Sequence, residues 1–79
     1  MEFTRTLVLE EEEEVQCCFH RVKTPAGNMF FVSLVHQRHN YHFSIKECGR
    51  QWRIINGPEL PPWILEKERT FEEWIREEE

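Results

Sequence analysis

Cys18 and His20 are the one local pair in the chain that could support nucleophilic chemistry. A thiol nucleophile needs a base beside it and a third group to orient that base. Two residues apart on a strand, their side chains leave the same face about 7 Å apart, over a surface that is flat and wet. Cys18 reads far more readily as a small half-buried residue. Four histidines raise a metal reading. His36, His39 and His42 span one turn, but in a hairpin His36 and His42 fall on opposite faces and His39 at the tip. Cys18 and His20 could be two ligands without a third. Structural zinc wants four ligands in recognisable pairs such as C-x-x-C, and this spacing offers none. No Gly-rich phosphate loop or P-loop is found, and the three glycines read as turn residues. The expectation is a non-enzyme without cofactor or metal.

Composition narrows the class. A chain of 79 residues makes one domain, residues 1–79, and at that size only about 60% of the unfolded surface is buried, leaving no room for a deep cleft. Six Phe and three Trp fill such a core economically. There is no charged-then-apolar leader and no apolar run near the ~18 residues of a membrane span, so a soluble, cytoplasmic chain without membrane contact is expected. Cys17, Cys18 and Cys48 are odd in number. Cys17 and Cys18 point to opposite faces of a strand, which suits reduced thiols better than a disulfide framework. A net charge of −5 argues against a nucleic-acid binder. Much of that charge sits in Glu10 to Glu14 and Glu77 to Glu79. The first run reads as a solvated loop, with contact to a cation or a basic partner as the functional alternative.

The elements that position these residues are organised around Met29 to His36, MFFVSLVH. It is the most apolar run, β-branched and aromatic, and reads as a central strand with neighbours on both sides. Strands are expected at about 3–9, 15–23, 29–36, 41–48 and 51–55. Pro25 and Gly27 mark one turn, and Gly49-Arg50 suits a two-residue type II′ hairpin. Asn56-Gly57-Pro58 ends the fifth strand. Pairing the turns sets Leu9 against Val15, Leu7 against Cys17, and Phe19 against Val32. A four-residue turn at Gln37 to Asn40 sets Leu34 against Phe43 and Val32 against Ile45. The last hairpin sets Ile45 against Ile54. All four turns then place Phe3, Leu7, Val15, Phe19, Phe30, Val32, Phe43, Ile45, Trp52 and Ile54 on one face. A one-residue slip would swap the faces, so this agreement supports a five-stranded antiparallel meander.

That face needs a lid. Pro61-Pro62 opens a helix over about 62–77, with Trp63, Ile64, Phe71, Trp74 and Ile75 in one stripe. Lys67 and Glu68 interrupt the stripe, and Glu77 to Glu79 oppose the helix dipole and should fray. The fold class is α+β, β-β-β-β-β-α. Phe43, Ile45, Gly49, Trp52, Ile54, Pro62, Trp63 and Ile64 form an F-x-I hairpin, a G-x-x-W-x-I strand and a Trp-Ile helix start. In these the chain resembles small uncharacterised bacterial proteins made of a β-meander and a C-terminal helix. The resemblance covers about half the chain and implies a fold, no activity and no site residue.

The open face remains. The expected register puts Thr4, His20, Phe31, Lys46 and Arg53 in one row across five strands. His20, Phe31, Lys46 and Arg53 are therefore the candidate interaction surface, for a protein partner or self-association. An ordinary half-solvated sheet is the competing reading. A shallow ligand pocket between helix and sheet near Trp52, Trp63 and Trp74 is the alternative function.

Overall fold

Alternating apolar and polar residues build five antiparallel strands in the computed structural model, which describes residues 1–55 and 59–79. The strands are β1 (Glu2–Val8), β2 (Glu14–Thr24), β3 (Gly27–His36), β4 (His39–Cys48) and β5 (Gln51–Ile54). They lie side by side in chain order, so the sheet is a meander with β3 in the middle. Two helices follow, α1 (Pro62–Leu65) and α2 (Glu68–Glu78). Asn56-Gly57-Pro58, expected to end the fifth strand, lies outside the described residues.

Face assignment survives intact, but two registers differ from expectation. Phe19 pairs with Val32 and Ile45 with Ile54 as expected. Leu34, however, pairs with Tyr41 and Val32 with Phe43, a two-residue slide. The cause is a two-residue turn at Gln37-Arg38, where both residues take left-handed φ of 49° and 69°. This is the type I′ pattern, whose twist matches that of a hairpin. β1 slides in the same way. Leu7 stands opposite Val15, and Arg5 opposite Cys17. The acidic loop is tighter than five solvated carboxylates suggested, because Leu9 N–H donates to Glu13 O at 2.7 Å and closes it around Glu10–Glu12. Both slides are even-numbered, which is why no side chain changed face. Gly49 at φ 65° leads the last hairpin as the type II′ turn requires.

The core lies between the sheet and the helices. Phe19, Phe30, Val32, Ile45, Ile64, Phe71 and Ile75 are almost wholly buried. Phe71 bridges the layers, its ring centroid 6.0 Å from Phe19 and 5.6 Å from Phe43. Phe3 stacks on Phe19 at 4.6 Å. The expected single helix over 62–77 is broken at Glu66-Lys67, where Lys67 N–H reaches Ile64 O in a tighter turn. The break coincides with the interruption of the apolar stripe. It separates α1, whose Trp63 packs beside His36 and Tyr41, from α2, which runs along β5.

That second contact is a ladder made by side chains. Glu68 Oε2 accepts from Ile54 N–H at 2.9 Å, and Glu72 Oε2 from Trp52 N–H at 2.7 Å. Arg76 Nη2 donates to Arg50 O. Four residues of helix rise about 6.0 Å, and two residues of strand about 6.7 Å. Helix positions 68, 72 and 76 therefore match strand positions 54, 52 and 50, with α2 running antiparallel to β5. The helix continues to Glu78, where Arg5 reaches Glu77 at 3.1 Å and Glu78 at 2.8 Å. Among the described residues, no helix is long and apolar enough to cross a membrane.

Candidate functional site

The sheet has one face under the helices and one open. On the open face, His20 of β2 pairs with Phe31 of β3, with Glu2 of β1 and Ser44 of β4 completing that row. Lys46 and Arg53 pair with each other one step along, beside Met29 and Val22. The four candidate residues thus occupy two adjacent rows, about 7 Å apart along the strands, and not the single row expected. The type I′ turn carries β4 two residues along β3. β5 follows because its own pairing with β4 is unchanged. Thr4 moves out of the His20 row for the same kind of reason and stands with Cys18, Ser33 and His42.

Phe31 is the centre of this surface. It sits midway in the middle strand and remains 49% exposed. Ile55, 48% exposed, continues its row through its N–H bond to Ser44 O at 3.0 Å. Arg53 is braced by Gln51 Oε1, 3.1 Å from its Nε. Beside Phe31 the face dips into a trough of about 410 Å³ lined by Glu2, Thr4, Cys18, His20, Ser33 and His42. A second depression of about 450 Å³ extends it past Gln16, Val35 and Asn40. Phe31 borders this shallow trough, whose lining mixes polar and apolar side chains.

The pairs that could carry chemistry are now placed. His20 Nδ1 lies 2.7 Å from Glu2 Oε1, so a carboxylate does orient this imidazole. Cys18 Sγ instead takes a weak bond from Thr4 Oγ1 at 3.9 Å. Thiol and imidazole each have a separate partner, so the nucleophile–base link is not made. Glu2 was missed because the expected register set Thr4, not Glu2, opposite His20. Cys17 is buried, and burial pushes its thiol up to about 12, with Cys18 adding a smaller push. That thiol stays protonated and inert. His36 faces the covered side and pairs with Glu13, its ring 4.7 Å from that of Trp63. His42 is on the open side, as expected of opposite faces. Among the described residues, no group of three or more His, Cys, Asp or Glu could hold a metal ion.

The three tryptophans do not share a pocket. Trp52 is buried against Phe30 at 5.5 Å, and Trp74 packs on Phe19 and Phe71. Trp63 alone of the three borders the larger depression on the helix side, about 730 Å³, with Leu9, Glu10, Glu13, His36 and Lys67.

Comparison with known proteins adds no relative: no family model, no curated protein and no solved structure matches this chain.

Proposed function

We propose that this chain is a non-catalytic interaction module that binds a protein partner through its open sheet face. The carrying observation is Phe31, a half-exposed phenylalanine at the middle of the middle strand. Leaving its exposed half in water forgoes about 1 kcal/mol of burial. A partner that covers it recovers that energy. Aromatic and Arg residues are typical hot spots, and Arg53 with Lys46 supplies positive charge one row away. The partner chemistry that fits is an acidic segment with an apolar anchor, received by the trough beside Phe31.

Phe31→Ala should weaken partner binding by about 2 kcal/mol or more and leave the fold intact, since the side chain points away from Phe71 and Ile75. Arg53→Glu should slow association with an acidic partner, and binding should weaken as salt rises. Titration calorimetry on the partner recovered from the native host checks both. Equal affinities for wild type and both variants would leave the open face idle.

A second reading has one observation in its favour, the depression beside Trp63. A small ligand seated there should raise the melting temperature without changing the mass, and Trp63→Ala should abolish that shift.

A further inference from the structure

A sheet of five strands has two edges, and among the described residues only the β5 edge meets a helix. We propose that β1 pairs antiparallel with β1 of a second copy of this chain, joining two sheets into one across a two-fold axis. Such an interface is isologous, the same strand serving both sides.

The backbone of β1 has a definite phase. Arg21 N–H donates to Met1 O at 2.9 Å, and Leu9 N–H to Glu13 O at 2.7 Å. In an antiparallel ladder hydrogen-bonded pairs alternate with non-bonded ones. The odd residues between these two ends therefore bond to β2. Glu2, Thr4, Thr6 and Val8 turn their N–H and C=O outward. Among the described residues, nothing caps them in the way Glu68, Glu72 and Arg76 cap β5.

The side chains of β1 also draw back from the edge. Glu2 leans onto His20, Thr4 onto Cys18, and Thr6 accepts from Gln16 Nε2 at 2.9 Å. On the covered face Phe3 stacks on Phe19, while Leu7 is buried. Proteins guard exposed edges with Pro, Lys, bulges or inward charges. β1 has no Pro or Lys, and its pairing with β2 runs unbroken from Glu2 to Val8. Its one inward charge, Arg5, is engaged by Glu77 and Glu78.

Only another extended backbone presents N–H and C=O at the matching repeat, and β1 is complementary to itself. Centred on Arg5, self-pairing would set like charges face to face, which is unfavourable. Centred on Thr4, it sets Thr4 against Thr4, Glu2 against Thr6 and Phe3 against Arg5. The Arg5 guanidinium already lies 5.9 Å from the Phe3 ring centroid of its own chain. In this register it also reaches Phe3 of the second copy, a charge over a ring. Thr–Thr and Arg–Phe pairs both favour the antiparallel register.

The test is sedimentation equilibrium of the full chain over a dilution series, with site-resolved amide exchange at both ends of the series. The mass should rise to that of a dimer, and the Thr4 and Thr6 amides should exchange at least about tenfold more slowly in the concentrated sample. Thr4→Pro removes an outward N–H, a position where an edge strand tolerates proline. It should raise the dimer Kd by about tenfold or more with dispersed resonances retained. Should that variant unfold, the wild-type exchange of Thr4 and Thr6 decides alone. The monomer mass at every concentration overturns the proposal. So does a dimer in which those two amides still exchange freely. Association abolished by Phe31→Ala but not by Thr4→Pro also overturns it, because the contact then lies on the open face.

Discussion

The two edges of the sheet solve the same problem differently. β5 is short, yet its outward N–H groups at Trp52 and Ile54 are met by Glu72 and Glu68 of α2, and the Arg50 carbonyl in the turn before it by Arg76. β1 is longer, and its outward groups are met by nothing among the described residues. A helix placed to cover one face therefore also substitutes for a sixth strand on one side. The lesson is that carboxylates on a helix can act as strand acceptors when the spacings of 6.0 and ~6.7 Å nearly agree. The unguarded edge then marks where a further strand can add.

The largest expected effect tests the layer that both edges depend on. Phe71→Ala removes the ring wedged between Phe19 and Phe43 and should cost about 3–5 kcal/mol in urea unfolding. A loss under 1 kcal/mol would mean that α2 is not anchored through the core, and its contacts with β5 would need another explanation.

Next comes the capped edge. Glu68→Ala with Glu72→Ala strips two acceptors from β5 and should cost about 2–4 kcal/mol together, less than twice the ~1.5–3 kcal/mol of a bond to a charged group because both contacts are only part-buried. It should also turn β5 into an aggregating edge, visible as light scattering. Acid should act in the same direction. The bond from Trp52 N–H, with a smaller contribution from Arg76, holds the Glu72 carboxyl below its ordinary 4.5. A carboxylate whose pKa is lowered on folding stabilises the fold above the ordinary value. That contribution is lost as pH falls through the lower, folded value. Between neutral pH and about pH 3 the wild type should lose more stability than Glu72→Gln. Equal losses would remove this carboxylate from the account.

A gain of stability comes next. Arg38 holds φ 69° without being glycine, and Arg38→Gly should stabilise by about 1 kcal/mol by relieving the left-handed strain. Destabilisation would question the two-residue turn, and with it the rows on the open face. The smallest effect belongs to the bare edge. Arg5→Ala should lower the urea midpoint least of all these variants, because both its ion pairs are substantially exposed and screened. Were it to cost more than the Glu68/Glu72 pair, the contrast between the edges would be inverted.

Much of this was legible in the sequence because strand alternation has a period of two. Parity assigned every core residue of the sheet to the right face even where the register was off by two, as at Val32 with Phe43. What parity cannot sense is an even slide. Gln37-Arg38 lacks the Asn or Gly that advertises a type I′ turn, so the longer turn was expected. Glu14 looked like loop because it stands in a charge run, yet it opens β2 and pairs with Val8. The cost fell on the site: His20 and Phe31 kept company, while Lys46 and Arg53 moved together to the next row. The edge-capping glutamates were hidden for another reason. Glu68 and Glu72 look like any solvated helix residues until α2 is laid beside β5.

Site-resolved hydrogen exchange on the dilute, monomeric chain tests the contrast of edges most directly. The amides of Trp52 and Ile54 should be protected although they lie on an edge strand, because Glu72 and Glu68 hold them, while those of Thr4 and Thr6 exchange freely. Protection of Thr4 and Thr6 at or above that of Trp52 and Ile54 would contradict the account.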